Sequence, residues 1–142
     1  MSHLVFVFGT LKEGFPNFRR NHGIRLPGEF VTEQRLPLYL VGERHSPWLI
    51  NSPGQGHQIA GQVFQVDHAA LEQMDDLERV NEPDGYKRLS ISVIARGASS
   101  GVSSLVFAYL KHPEQFSLSG VRLGPLAEYT LEHAALYRGR GL

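Results

Sequence analysis

Leu4-Val5-Phe6-Val7-Phe8-Gly9-Thr10-Leu11-Lys12 opens the chain and decides its reading. Leu4 to Phe8 is continuously apolar, rich in β-branched and aromatic side chains, and it stops abruptly at Gly-Thr. That is the pattern of a buried strand. A buried strand that ends at a glycine exposes its next backbone N–H groups at the sheet edge, and the missing Cβ lets a ligand approach them. Far downstream stands Met74-Asp75-Asp76-Leu77-Glu78-Arg79. Together the two segments predict a backbone anion cradle and one carboxylate to serve it.

Working outward, residues 12–23 hold Gly14, Pro16, Asn17 and Gly23, so a loop is predicted, with one short helical turn near Phe18-Arg19-Arg20. Short strands are predicted over 29–32 and 36–41, where Pro27, Pro37, Pro47 and Pro53 keep strands short or at sheet edges. Residues 52–58 read as turns and 59–66 as a strand. Asp67 reads as the N-cap of a helix over 68–77, with Leu71, Met74 and Leu77 on one face and Glu78 at or just past its end. After the turn cluster Asn81-Glu82-Pro83-Asp84-Gly85, alternation predicts a strand over 86–95. The Gly/Ser-rich residues 97–104 read as a mobile hairpin connection, 105–110 as a buried strand and 125–137 as a final helix. Arg138-Gly139-Arg140-Gly141 reads as a solvated basic tail. Strands outnumber helices and come in runs, so an α+β fold with a curled, partly antiparallel sheet is expected.

The 142 residues suit a single domain, expected over 1–142. A hydrophobic fraction of 42% with 20% charged residues is that of an ordinary soluble globular chain. Fourteen basic residues balance fourteen acidic ones, which argues against a nucleic-acid binder with a broad basic face. The lack of cysteine excludes disulfides, thiolate metal sites and a cysteine nucleophile. No apolar run is long enough to span a bilayer, and Met1-Ser2-His3 lacks the layout of a signal peptide, so a cytoplasmic protein is expected.

Two readings stand at Gly9-Thr10-Leu11: a carboxylate or oxyanion cradle of main-chain donors, and a tight turn after an edge strand. Glu78 is open in the same way, since most glutamates at helix ends are simply solvated. Local electrostatics nevertheless single it out. It lies at the negative end of the predicted helix, with Asp75 and Asp76 adding like charge against Arg79. Shielded from water as well, its pKa is expected to rise from about 4.3 towards the ~6–7 of a working acid–base group.

These segments carry a resemblance. Val5 to Lys12, followed by Gly14 and Pro16-Asn17, resembles the opening motif of the γ-glutamylcyclotransferase-like family, nearest its γ-glutamylamine cyclotransferase branch, where Tyr-Gly-Thr-Leu precedes a Gly and a Pro-Asn pair. Asp75-Asp76-Leu77-Glu78 resembles that family's Asp-Asp-Phe-Glu, whose glutamate is the catalytic acid–base. Tyr86-Lys87-Arg88 resembles the Tyr-x-Arg of the next strand, and Val106-Phe107-Ala108-Tyr109 the late strand that carries an aromatic towards the cavity. The resemblance implies a small mixed, largely antiparallel β-barrel with a few helices around a cavity. It implies that Phe8, Gly9, Thr10, Leu11 and Tyr86 bind a small γ-glutamyl substrate and that Glu78 is catalytic. The implied reaction releases 5-oxoproline and a free amine from γ-glutamylamines such as ε-(γ-glutamyl)-lysine, with no metal or other cofactor.

Two positions depart from the pattern. Phe8 stands where the family commonly has tyrosine, and Phe18 where the closest branch has histidine. The missing hydroxyl at Phe8 motivates two alternatives: a non-catalytic metabolite-binding or stress-response protein on the same fold, and a cyclotransferase for γ-glutamyl amino acids. Other motifs carry less. The seven histidines are scattered with no helical zinc spacing, and the His68–Glu72 pair reads as a surface contact. Gly54-Gln55-Gly56 lacks the third glycine of a dinucleotide site. Trp48 reads as a core anchor or a cavity lid, and Tyr86 and Tyr109 as packing or cavity residues.

Overall fold

A continuously apolar strand needs neighbours on both faces and both edges. The computed structural model, which describes residues 2–97 and 101–139, gives the opening run all four. Among the described residues the strands are β1 (Ser2–Val7), β2 (Ile24–Arg25), β3 (Phe30–Thr32), β4 (Leu38–Val41), β5 (Ser46–Leu49), β6 (Ala60–Asp67), β7 (Lys87–Ala95), β8 (Ser104–Leu110) and β9 (Val121–Leu126). Helix α1 (His68–Leu77) follows β6, and the short α2 (Leu131–Ala134) follows β9.

β6 runs antiparallel along the whole of β1, from Ser2 opposite Asp67 to Val7 opposite Gln62. β8 lies parallel on the other edge, through Val5 opposite Phe107. From there the neighbours run β8-β7-β3-β6, and β6 returns to β1, with β2 added on β6. The β1–β8 link rests on one registered pair and the β3–β6 link on two, so the sheet is barrel-like without being laced all the way round. A second sheet, β5-β4-β9, contributes Leu38, Leu40 and Leu49 to the same interior.

The period of two along β1 separates two cores. Phe6 joins Phe8, Val63, Val106, Leu110 and Tyr129 in the interior cluster. Val5 and Val7 pack on the other side with Phe64, Val66, Leu71 and Met74, beneath α1. Asp67 caps α1 as its sequence predicts, with Oδ1 accepting from the Ala70 amide at 2.8 Å. This cap and the buried Leu71 and Met74 hold α1 against β1, with its C-terminus set near the end of that strand.

The region after Pro113 departs from the predicted final helix. Residues 121–126 form β9, with Leu126 opposite Leu38, and α2 is confined to Leu131–Ala134. Pro125 lacks an amide donor and lies next to Gly124, whose φ of +124° no helix contains. Helix begins only where Thr130 and His133 form a capping box. β5 was not foreseen because Pro47 interrupts it; the proline is tolerated on the edge of its sheet. Trp48, in β5, is half-buried and lies outside both core clusters, so it is no core anchor. Of the predicted 97–104 connection, 98–100 lie outside the described residues, as do Arg140 and Gly141 of the predicted tail.

Candidate active site

Where β1 ends, Phe8 stays buried and the chain turns through Gly9. A Cβ on Gly9 would sit 2.8 Å from Pro47 Cγ, so packing against β5 already requires glycine here, whatever ligand approaches. The turn is held by its carbonyls: Gly9 O accepts from the Lys12 amide at 3.1 Å, Thr10 O from the Asn17 amide at 2.8 Å, and Leu11 O from Asn21 Nδ2 at 3.0 Å. Asn17 Nδ2 also donates to Thr10 Oγ1 at 2.9 Å. Among the described residues, the bonds that build the turn draw no donor from the amides of Gly9, Thr10 or Leu11. Lys12 is buried behind them, 4.3 Å over the Phe15 ring, with its ammonium donating to the Tyr129 carbonyl. Burial lowers its pKa from the ordinary 10.5.

Glu78 is the C-cap of α1, and its amide donates to Met74 O at 2.9 Å. The chain then loops back so that the Tyr86 amide donates to Glu78 O at 3.0 Å. Closing that loop takes a positive φ of 56° at Arg79 and a glycine at 85, whose Cβ would lie 1.7 Å from the Arg79 carbonyl oxygen. Tyr86 is fixed at its other end by its hydroxyl, which donates to Pro47 O at 2.9 Å.

The charges around Glu78 differ from those expected. Asp75 accepts from Arg88 Nη1 at 2.6 Å and from the Tyr109 hydroxyl at 2.7 Å, so its charge is compensated locally rather than directed at Glu78. Arg79 pairs with Asp84 at 2.8 Å. Burial, then the Asp75 hydrogen bond and the charges of Asp75 and Glu78, push the Tyr109 phenol far above its ordinary value, which keeps it a donor.

One cavity of about 490 Å³ is lined by Phe8, Gly9, Thr10, Leu11, Glu78 and Tyr86 together. All six residues singled out in the sequence therefore meet. Tyr109 lines it as well, from β8, as do Arg19, Arg20, Arg44 and Tyr137, which the sequence reading did not connect with it. Arg19 and Arg20 follow the Pro-Asn pair and were readable only as a helical turn. Arg44 and Tyr137 reach the wall by long-range contacts: the Arg138 amide donates to Arg44 O at 3.0 Å, and Asn17 Nδ2 donates to the Tyr137 hydroxyl at 3.3 Å. Four arginines (Arg19, Arg20, Arg44, Arg79) line the cavity against two carboxylates, Asp76 and Glu78, a balance that favours an anionic ligand. His68 and Glu72 meet on the exposed face of α1 at 2.8 Å, a surface pair. Among the described residues no three of His, Asp and Glu converge as a metal site would require.

The arrangement offers backbone donors, a carboxylate and a basic lining within one pocket. The family model for gamma-glutamyl cyclotransferase, AIG2-like, matches residues 5–133. The chain belongs to that family. Within it, the gamma-glutamylaminecyclotransferase of Rattus norvegicus is 39% identical over 98 residues, covering 66% of this chain and 64% of the relative. That of Bos taurus is 35% identical over 117 residues, covering 79% and 68%. The matched stretch thus spans just under two thirds of the rat relative's length. The fold extends the likeness further: a crystal structure of an AIG2-like protein from Mus musculus superposes with a TM-score of 0.81 at 30% identity, covering 98% of this chain and 97% of that one. The residues from Phe8 to Tyr109 that line the cavity fall inside the family match, and Tyr137 falls outside it.

Proposed function

We propose that the protein is a cyclotransferase that releases 5-oxoproline and a free amine from γ-glutamylamines. The observation that carries this reading is that Glu78 and the turn from Phe8 to Leu11 line one cavity, in a chain of this family. The α-amine of the γ-glutamyl group attacks its own γ-carbonyl carbon. A C–N bond forms as the five-membered ring closes, and the amide C–N bond to the leaving amine breaks. An α-amine has an ordinary pKa near 8, so at neutral pH it is mostly protonated. Glu78 removes that proton and gives it to the departing nitrogen, and it then relays to the same nitrogen the second proton that the ring nitrogen sheds, so that the amine leaves as an ammonium. The amides of Gly9, Thr10 and Leu11 are the donors assigned to the oxyanion or the substrate carboxylate, and the arginine-rich lining suits an anionic ligand. Holding the flexible glutamyl chain in its attacking conformer supplies the rest; effective molarities of ~10⁵ M or more are known for such ring closures.

The reading calls for a small γ-glutamyl substrate and for neither nucleic acid nor membrane. Among the described residues no helix is long and apolar enough to cross a bilayer. The cytoplasm is the compartment we propose. Incubation with ε-(γ-glutamyl)-lysine should yield 5-oxoproline, and Glu78→Gln should lower kcat by about 10²–10⁴ with the fold intact. Turnover that survives in Glu78→Gln sinks the assigned role.

Phe8 favours a second reading, a metabolite binder without turnover, because a phenyl ring at 7% exposure lines the cavity where the family commonly carries a hydroxyl. Phe8→Tyr discriminates between the two. A large gain in rate from a nearly inactive wild type points to the binder, and robust wild-type turnover eliminates it.

A further inference from the structure

A second hollow, of about 420 Å³, adjoins the first. Arg44 and Tyr86 line both, and Trp48, Asp84 and Lys111 line the second alone. We propose that this hollow receives the leaving portion of the substrate, and that Arg44 selects leaving amines that carry a carboxylate. The inference rests on the cyclotransferase reading above.

The first cavity accounts for one end of a γ-glutamylamine, the glutamyl group and the amide to be broken. Whatever lies beyond that amide must pass the wall. Tyr86 is the rigid part of it, tied by its amide to Glu78 and by its hydroxyl to Pro47. Arg44 stands at the same boundary and is half-buried. Among the described residues its guanidinium makes no hydrogen bond or ion pair, while its carbonyl is anchored by the Arg138 amide. The other polar groups of the second hollow are engaged. Lys111 is 4% exposed, with Nζ 4.2 Å from the centre of the Trp48 ring and 4.5 Å from that of Tyr86, and it donates to Asp84 O. The Asp84 carboxylate is taken by Arg79, and Gln115 Nε2 is bound to the carbonyls of Pro83 and Gly85.

A guanidinium with its donors unspent matches a carboxylate in a two-pronged pair. The Lys111 charge lies in the same hollow and adds to the attraction. A leaving amine ending in an ammonium meets the two cations Arg44 and Lys111 against the single carboxylate of Asp84, which Arg79 already holds, and is disfavoured; one ending in a methyl gains nothing from either cation.

Three γ-glutamyl substrates of one length test this: the amides of 6-aminohexanoate, hexylamine and 1,6-diaminohexane. For the wild-type chain kcat/KM should fall in that order, by about tenfold from carboxylate to methyl, with the difference carried in KM. Arg44→Gln should cost the carboxylate substrate about ten times more than it costs the methyl one, and Arg44→Lys should recover part of the loss. Trp48 is the only tryptophan in the chain and gives a readout independent of turnover. Titration with 6-aminohexanoate should change its fluorescence saturably, hexylamine should not, and Arg44→Gln should weaken the response about tenfold. A flat wild-type series, equal losses for all three substrates in Arg44→Gln, or a Trp48 response blind to the carboxylate overturns the subsite. No 5-oxoproline from any of the three overturns the cyclotransferase reading instead, and the Trp48 titration then decides the subsite alone.

Discussion

Glu78 owes its place to a return loop that only a glycine at position 85 can close. Gly85 lets the return loop close against Arg79, and that closure brings the Tyr86 amide to Glu78 O. An alanine at 85 would drive a methyl into a backbone oxygen, which cannot rotate away as a side chain would. Gly85→Ala should therefore lower stability by about 3 kcal/mol or more in urea unfolding, and should lower kcat as well because Glu78 and Tyr86 separate. Gly85 was legible in the sequence only as part of a turn cluster; the demand for a missing Cβ comes from a contact six residues back. Asp75 teaches the reverse lesson. Its charge was legible, but its compensation by Arg88 and Tyr109 was not, since those partners lie 13 and 34 residues away.

Elements that are built from local signals were read correctly. β1 follows from an unbroken apolar run, and α1 from a cap, an apolar stripe and a turn cluster after it. The cap is testable at this scale: Asp67→Ala removes the acceptor for the Ala70 amide and should cost about 1 kcal/mol, or about 4 °C in melting temperature. A drop much larger than that would mean that the cap also holds β6 in register. Elements that exist only through distant partners were not legible. β5 and β9 each contain a proline, and each is a strand because β4 lies beside it. Local propensity argues against both, and pairing overrides it. The wall of the cavity shares this property: Arg44 lies between β4 and β5, and its surroundings depend on how those strands pair.

For the molecule as a whole, alkaline pH should expose the cost of ionising phenols buried in the two cores. Burial raises the Tyr129 pKa above its ordinary 10.0, with the neighbouring Tyr137 adding to the rise, and Tyr109 moves in the same direction. A raised folded pKa gives stability that is complete below pH 10 and is lost as pH climbs towards the folded value. Lys12 acts with the opposite sign, since its lowered pKa makes stability recover as pH rises towards 10.5. With two phenols against one amine, the urea midpoint should fall between about pH 10 and 11.5. Among the described residues the buried Tyr129 hydroxyl has no hydrogen-bond partner, so Tyr129→Phe should change the midpoint little at pH 7 and should flatten the alkaline fall. An unchanged alkaline limb in that variant would place the titrating group elsewhere.

The order of β1 between β6 and β8 also has a consequence for biosynthesis. β1 finds its antiparallel partner some sixty residues later in the chain and its parallel one at Phe107. Until both partners are made, Val5, Phe6 and Val7 have no completed shelter, and the nascent chain carries an exposed, sticky apolar segment. Loop-closure entropy of that kind slows folding and invites association between unfinished copies. Chaperone dependence during expression, and slow assembly after dilution from denaturant, are the behaviour to expect from a barrel whose opening stave is among the last to be pinned.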